Sequence, residues 1–296
     1  MDNQRSVDKM NYKFTIFTPC YNAARTIERV FRSLEKQTYV NYEWIIINDG
    51  STDDSDGVIA GLIEHFPHKE KIIYLTQTNM GKHRAWNKAA EMADSDLFLC
   101  ADADDEFVAD ALEFYNQKAN EISLVGSDCY CGINTCAFDH ATGEVVGTEF
   151  PEDGLICDNF EMVYKYHIRG DKWMCNRTEF MKKHMFPDVN APFFPETRLW
   201  YAFALNGYKL ACYNKYTLSH YIEPTSLCNS IWFKFNKRAA IAKMRYHLWL
   251  LRNALPRIIA LDYKAAVHLL IVVTLKNAAM FFCGIFFDYL RHWRRK

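Results

Sequence analysis

The sequence lacks an excess of either charge, since 35 Lys and Arg residues stand against 36 Asp and Glu residues for a formal net charge of -1. This balance gives no reason to expect nucleic acid as a partner, because chains that bind it usually carry a basic excess. Apolar residues are not lacking: half of the 296 residues are hydrophobic and 15% are aromatic. Such a composition excludes global disorder and suits one large domain, or one domain with an appendage.

The sequence also lacks the features of secreted or zinc-bound proteins. Its first residues, MDNQRSVDKM, contain no apolar signal core, so we expect the ten cysteines to be reduced thiols in the cytosol. Paired C-x-x-C knuckles are missing. The one cluster with a histidine is C-x-C-x4-C-x3-H, formed by Cys129, Cys131, Cys136 and His140. That spacing favours small core thiols over structural zinc.

An uninterrupted apolar run of about 20 residues, as a membrane span requires, is missing as well. Residues 267–275 and 278–287 are apolar, but Lys276 and Asn277 separate them, and the chain ends in a basic segment beside Trp293. We expect an interfacial helix pair on the inner, cytoplasmic face of a membrane. A transmembrane span, a helical cap and a homo-oligomer interface are the alternatives.

Strand-like and helical patterns alternate through the first hundred residues. The strand-like runs are 13–19, 43–49, 71–77 and 96–102, and the helical ones are 26–37, 53–63 and 81–93. The second run, 43–49, is nearly all apolar, as a strand covered on both faces is. The alternation predicts an α/β fold with a mostly parallel sheet and flanking helices. After residue 110 the pattern loosens, with strands expected near 124–138, 144–149, 172–176 and 207–214, and helices at 178–184 and from Glu196.

Polar residues follow each of the four predicted strands. These segments are Thr18 to Asn22, Asn48 to Ser51, Asn79 to Arg84, and Asp102 to Asp105. Ligands of open parallel sheets bind beyond the carboxyl ends of the strands, so the four segments should line one crevice. Each segment alone is more often an ordinary turn, but the ordered set predicts a binding site.

The residue types in this crevice suit a nucleotide diphosphate. Asp49 can accept a hydrogen bond from a base, and Tyr21 offers an aromatic face. Cationic side chains near a helix N-terminus, Lys82 and Arg84, favour a diphosphate. Asp102 and Asp104 alternate and so point the same way in extended backbone. Their oxygens suit Mg²⁺ or Mn²⁺ held partly by substrate phosphates.

Two other interpretations of the acidic run are weaker. Asp102, Asp104, Glu106, Asp110 and Glu113 fall on the ligand positions of a calcium loop, but Phe107 replaces its turn glycine and a strand precedes it. A phosphatase-type aspartyl nucleophile would follow the first strand, whereas this run follows the fourth.

Two blocks resemble family 2 glycosyltransferases with the GT-A fold: TPCYNAARTIERVFRSLEKQTYVNYEWIIINDGSTDDS, and NMGKHRAWNKAAEMADSDLFLCADADDEF, which ends in a D-x-D motif. The resemblance covers roughly residues 12–225. It implies a Rossmann-like GT-A sheet and metal-dependent, inverting transfer from a nucleotide-diphospho-sugar, most simply a UDP-sugar. The implied acceptor is a glycan or lipid-linked glycan in cell-envelope polysaccharide synthesis. A nucleotidyltransferase and an inactive sugar-nucleotide-binding scaffold are the alternatives.

The resemblance also assigns residues to the donor site. It implies nucleoside contacts from Thr18, Pro19, Tyr21 and Asp49, a ribose or metal contact from Asp102, and a metal ligand in Asp104. Other predicted donor-site residues are Asn22, Asn79, Gly81 and Ala103. The family often has an Arg where this chain has Trp86, so the phosphate-contacting cation is left open between Lys82 and Arg84.

On the acceptor side, the family often opens a helix with a Glu-Asp pair whose Asp is the general base. Here the pair is Glu196 and Thr197, and Thr cannot take the proton, so Glu196 is the predicted base. The alternative for Glu196 is a carboxylate that only stabilises the helix dipole. Asp171 and Asp188 are fallback bases, and His220 is either a third metal ligand or phosphate donor, or a plain surface or core histidine.

These predictions divide the chain into three parts. Residues 1–11 form a polar tail. Residues 12–228 form the GT-A domain, with a nucleotide-sugar half at 12–109 and an acceptor half at 110–228. Residues 229–296 form a helical, membrane-associated appendage.

Overall fold

The computed structural model describes residues 10–221, 237–271, 273 and 275. Its strands are β1 (Phe14–Cys20), β2 (Tyr42–Asn48), β3 (Ile72–Thr76), β4 (Leu97–Cys100), β5 (Glu106–Phe107), β6 (Tyr130–Asp139), β7 (Leu155–Cys157), β8 (Lys172–Arg177) and β9 (Lys209–His220). Its helices are α1 (Ile27–Glu35), α2 (Ser55–His65), α3 (Lys82–Met92), α4 (Ala111–Glu121), α5 (Thr178–Lys183), α6 (Thr197–Leu205), α7 (Lys237–Asn253) and α8 (Leu255–Leu261). Short 3₁₀ and π turns occur at Lys69–Lys71 and Glu161–Lys165, and helical residues continue at 263–271.

The strands form one sheet in the order β3-β2-β1-β4-β8-β6-β9-β5, with β7 paired to β9. The first four strands are parallel, so their carboxyl ends meet at one edge. Beyond β4 the sheet turns antiparallel at β8 and β6, and only β6 and β9 pair in parallel again. The expectation of a mostly parallel sheet is right for the first half and wrong for the whole, which is mixed. Antiparallel neighbours need no helical crossover, and the second half of the chain has fewer helices between its strands.

Helices cover the sheet on both faces, which explains the nearly continuous apolar strands. Neighbouring residues of a strand point to opposite faces. Accordingly, Ile16 and Ile46 contribute to one buried cluster with α1 and α4, while Phe17 and Ile45 contribute to the other with α3 and α6. The four strand ends are therefore held by two separate cores.

The described part of the predicted appendage shares the second core. Tyr246, Leu250 and Ile258 of α7 and α8 are buried in the same cluster as β1 and α6. The guanidinium of Arg257 pairs with the buried carboxylate of Asp158. Among the described residues, no helix is long and apolar enough to cross a bilayer. Most of the predicted interfacial pair, from residue 276 onward, lies outside the described residues.

A pair of neighbouring isoleucines tests this packing. Ile258 is fully buried, whereas Ile259 is 43% exposed. We expect Ile258→Ala to lower the free energy of unfolding by about 2–5 kcal/mol, because it leaves a cavity in the shared core. Ile259→Ala should change it by no more than about 0.5 kcal/mol. Urea denaturation measures both, and equal effects would show that α8 does not belong to the core.

Candidate active site

The turn before α3 is fixed by Asp49, which follows β2. Its carboxylate accepts the backbone N–H of Met80 at 2.9 Å and of Gly81 at 2.7 Å, and the side-chain amide of Gln77 at 2.7 Å. Gly81 has φ +92, and a Cβ there would lie 2.5 Å from the carbonyl oxygen of Ala191. Glycine is therefore required, and Asp49 is a buried support of the crevice as well as a predicted nucleoside contact.

The loop after β1 is tied to the loop after β2. Asn22 adopts the left-handed conformation with φ 54. Its side-chain oxygen accepts the N–H of Thr52 at 2.7 Å, and its own N–H donates to the hydroxyl of Ser51 at 2.9 Å. Tyr21 beside it is 41% exposed, so its ring is available to a ligand as predicted.

Thr18 has a different position from the one expected. It is fully buried, and its hydroxyl accepts a hydrogen bond from the indole N–H of Trp44 at 2.9 Å. The Thr18 side chain thus lies in the core beneath the crevice and supports it rather than lining its surface. Pro19 is half-buried, and Asn79 is exposed.

The centre of the crevice is an ion-pair bridge made by Lys82, the first residue of α3. Its Nζ lies 2.7 Å from Oδ1 of Asp102 and 2.7 Å from Oε1 of Glu196. Burial disfavours the ammonium, but the two carboxylates outweigh burial and raise the pKa of Lys82 well above its usual value. The bridge brings together three residues that the sequence predicted for one site: a cation, the first acid of the D-x-D motif and the proposed base.

Arg84 points elsewhere. Its guanidinium pairs with Asp188 at 2.5 Å, and the Asp188 side chain is 86% exposed. Lys82 therefore faces the carboxylates of the crevice, while Arg84 and the fallback base Asp188 lie on its rim. This geometry favours Lys82 over Arg84 as the cation that contacts the phosphates.

The acidic loop after β4 is clamped at both ends by Trp173 of β8. The indole N–H donates to the carbonyl of Cys100 at 2.6 Å, just before the loop. The ring stacks on Phe107 at a centroid distance of 4.4 Å, just after it. Phe107 belongs to β5, which leaves no room for the glycine turn of a calcium loop. No sequence pattern indicates this clamp, because Trp173 comes from a distant strand.

The four acids of this loop have different environments. Burial, and then the neighbouring charge of Asp102, raise the pKa of Asp104. Asp105 is 7% exposed, and its burial raises its pKa to about 6 although His220 bonds to it at 3.0 Å. Asp105 therefore anchors the loop to His220 of β9.

His220 contacts the acidic loop through Asp105, the residue after the D-x-D motif. One ring nitrogen lies 3.0 Å from the Asp105 carboxylate, and the other lies 3.9 Å from Asp171. The hydrogen bond to Asp105 raises the pKa of His220 to about 9. His220 therefore joins β9 to the acidic loop, while its role as a metal ligand or phosphate donor stays a prediction.

The carboxylate oxygens of the loop are ligands that suit a hard divalent cation, but they are too few to complete its coordination shell. The described residues contain no group of three or more His, Cys, Asp or Glu side chains arranged around a metal. Asp102 already attracts a cation, the Lys82 ammonium. Mg²⁺ or Mn²⁺ commonly takes one or two carboxylates and completes its shell with phosphates and water. Asp102 and Asp104 can supply that number.

The remaining candidates lie in buried or peripheral places. Ala103 is 8% exposed between the two aspartates of the motif. The eight cysteines among the described residues are free thiols, and Cys131 and Cys136 are buried in β6. The thiol of Cys131 donates to a backbone carbonyl at 3.3 Å.

Comparison with known proteins agrees with this geometry. Residues 15–124 match the family model described as Glycosyl transferase family 2. The teichoic acid poly(glycerol phosphate) polymerase of Staphylococcus epidermidis is 35% identical over 108 residues, which are 36% of this chain and 15% of that protein. The uncharacterized glycosyltransferase YibD of Escherichia coli is 35% identical over 117 residues, 40% of this chain and 33% of that protein. The chain therefore spans a third or less of the length of these two relatives.

A third relative is the GalNAc(5)-diNAcBac-PP-undecaprenol beta-1,3-glucosyltransferase of Campylobacter jejuni, at 28% identity over 111 residues, 37% of this chain and 35% of that protein. Among solved structures, S. aureus TarS 1-349 in complex with UDP-GlcNAc has a TM-score of 0.61 at 17% identity, covering 82% of this chain and 67% of that one. The mannosyltransferase PcManGT of Pyrobaculum calidifontis, in complex with GDP-Man and Mn2+, has a TM-score of 0.57 at 16% identity, covering 93% and 73%. At such identities the likeness establishes the fold alone.

The clamp on the acidic loop can be tested by hydrogen exchange. Trp173→Phe keeps a ring that can stack on Phe107 but removes the donor to the Cys100 carbonyl. We expect amides 101–106 to exchange about 5- to 10-fold faster, since a net hydrogen bond contributes about 1 kcal/mol. Trp200→Phe is the control, because Trp200 is 8% exposed and lies in the other core. Faster exchange of this loop in both variants, or in neither, would contradict the clamp.

Proposed function

Because the chain belongs to glycosyl transferase family 2 through residues 15–124, we propose that it moves a sugar from a nucleotide-diphospho-sugar to an acceptor hydroxyl, with inversion at the anomeric carbon. The observation that carries the proposal is the Lys82 bridge between Asp102 and Glu196. It joins the donor half of the crevice to the acceptor half at one side chain. The complex of TarS with UDP-GlcNAc supports a UDP-sugar as the donor.

The donor occupies the carboxyl ends of β1, β2 and β4. Tyr21 stacks on the base, and Asp49 accepts a hydrogen bond from it while holding the turn before α3. Asp102 and Asp104 would hold Mg²⁺ or Mn²⁺ together with the diphosphate. Such an ion would supply positive charge to the leaving diphosphate.

Lys82 is the protein's own cation for the diphosphate. Without a donor, its ammonium is shared by Asp102 and Glu196. A diphosphate beside Asp102 offers it a stronger anionic partner, and the flexible lysine stem lets the ammonium turn toward it. That movement releases the Glu196 carboxylate from its ion pair.

Glu196 then acts as the general base. It accepts the proton of the acceptor hydroxyl, whose oxygen forms the new bond to the anomeric carbon as the bond to the diphosphate oxygen breaks. The nucleoside diphosphate leaves with the electron pair of that bond. Glu196 is 33% exposed in its side chain, so an acceptor can reach it from solvent.

The acceptor is a glycan or a lipid-linked glycan of the cell envelope, at the cytoplasmic face of a membrane. The names of the Staphylococcus epidermidis and Campylobacter jejuni relatives support this class. The basic C-terminal region supports the membrane location. The scaffold alternative is disfavoured because a carboxylate, Glu196, lies in the crevice despite Thr197 beside it.

Replacing Glu196 separates catalysis from binding. We expect Glu196→Gln to lower kcat about 100- to 10,000-fold, because the amide cannot accept the proton. Donor affinity should stay within about threefold of the parent. Turnover with a panel of UDP-sugars, followed by release of UDP and by product mass, measures both.

The fallback carboxylates are matched controls for that variant. Asp171→Asn and Asp188→Asn remove one charge each near the crevice, and both should retain transfer within a few-fold. Full transfer by Glu196→Gln would refute the base assignment. A product that carries the nucleotide instead of the bare sugar would identify a nucleotidyltransferase.

The metal assignment is tested by ligand-induced stabilisation. Ligand at about 100 times its Kd stabilises a folded protein by about 2.7 kcal/mol, which raises Tm. We expect UDP to raise Tm in Mn²⁺ much more than in EDTA, and Asp104→Asn to abolish the difference. Asp110→Asn is the control, because Asp110 pairs with Lys215 and has a side chain 52% exposed. Metal-dependent UDP binding that survives in Asp104→Asn would overturn the assignment.

A further inference from the structure

The outward face of α7 carries a stripe that alternates arginine with large aliphatic residues. Its exposed members are Arg238, Ile241, Arg245, Leu248 and Arg252. Their spacing of three and four residues places them along one side of the helix. The opposite side of α7, with Tyr246 and Leu250, is buried in the core, so the arginine–aliphatic stripe faces away from the protein.

The exposure of this region is unusual for a helix already packed on a core. Ile241 is 39% exposed and Leu248 is 58% exposed. Almost half of the exposed large hydrophobic side chains among the described residues lie between residues 241 and 275. Such a concentration marks an interaction surface rather than scattered exposure.

The positive charge of residues 237–275 favours an anionic partner. Between residues 237 and 275 the sequence contains seven Lys or Arg residues and a single acid, Asp262. The whole chain has a formal charge of -1, so positive charge is concentrated here. A surface that is both basic and apolar complements lipid headgroups with acyl chains beneath them.

A pocket with basic residues in its wall lies beside the stripe. Its volume is about 350 Å³, and Lys183, His184, Arg198 and Trp249 lie in its wall. None of the described residues that line it is acidic. The guanidinium of Arg198 stacks on the Trp249 ring at 3.8 Å. The Nε2 atom of His184 is buried and has no hydrogen-bond partner among the described residues.

The pocket and the stripe are continuous. A second cavity of about 470 Å³ is lined by Leu248, Trp249, Arg252 and Asn253. Trp249 and Asn253 line both cavities. A phosphate in the pocket could therefore carry an alkyl chain that leaves along Leu248.

We propose that α7 docks the protein on an anionic lipid surface, with the arginine–aliphatic stripe against the headgroups and a lipid phosphate in the pocket of Lys183, His184 and Arg198. Guanidinium groups bind phosphate oxygens through paired hydrogen bonds. Ile241 and Leu248 enter the boundary between headgroups and acyl chains. Glu196 directly precedes α6 and Arg198 is the second residue of that helix, so docking would bring the base close to the membrane; this last consequence rests on the proposed function.

Vesicle binding of the full chain tests the docking surface. The vesicles are phosphatidylcholine alone, and phosphatidylcholine mixed with phosphatidylglycerol. We expect binding to the anionic vesicles only, weakened by salt, and about 10- to 30-fold weaker for Arg245→Gln/Arg252→Gln. Arg198→Gln should weaken it further by removing the pocket contact. The charge-matched control is Arg32→Gln/Lys36→Gln, at the C-terminal end of α1 and just after it, which should bind as the parent does.

Three results would overturn the proposal. The first is undiminished vesicle binding by Arg245→Gln/Arg252→Gln. The second is calorimetric binding of inorganic phosphate at the pocket without binding of anionic vesicles, which would assign the site to a free anion. The third is a concentration-dependent dimer that the stripe variant abolishes, which would make the stripe an interface between two copies. Transfer to a water-soluble acceptor should be unchanged in the stripe variant, so loss of the transfer activity itself would bear on the proposed function instead.

Discussion

The ammonium of Lys82, 2.7 Å from a carboxylate oxygen of Asp102 and 2.7 Å from one of Glu196, holds the loop after β4 to the start of α6. Two carboxylates so close together would repel each other, and a cation between them removes that repulsion. Losing the cation would leave two partly buried negative charges without compensation. The loop after β4 and the start of α6 therefore depend on one side chain for their relative position.

The position of Lys82 depends in turn on the backbone conformation of the turn before α3 rather than on charge. Lys82 follows Gly81, whose N–H is held by Asp49 and whose φ of +92 suits only glycine. Asp49 follows β2 and Asp102 lies in the loop after β4, and β1 lies between these two parallel strands. The order of the sheet reverses at β1, which is where open α/β sheets bind their ligands.

The first four strands and the cluster of polar strand ends could be predicted because both signals are local. Apolar runs of strand length and the turn residues behind them depend on neighbouring positions. The burial of Thr18 under Trp44, the Trp173 clamp and the pairing of Asp105 with His220 were not predictable. The clamp and the Asp105–His220 pair join residues that come together only when the mixed half of the sheet forms, whereas Thr18 and Trp44 meet on the paired strands β1 and β2. No periodicity in the sequence records which strands become neighbours or which side chains meet between them.

This chain has Thr197 where related enzymes often have the Asp that serves as general base, and the structure explains the difference. The Thr197 hydroxyl bonds to the hydroxyl of Tyr246 on α7 at 2.8 Å, so this position faces α7 and not the crevice. Successive residues of a helix are separated by about 100° around its axis. A side chain at 197 therefore points toward Tyr246 on α7. Glu196, one position earlier, points to Lys82, where its carboxylate balances the charge of the lysine.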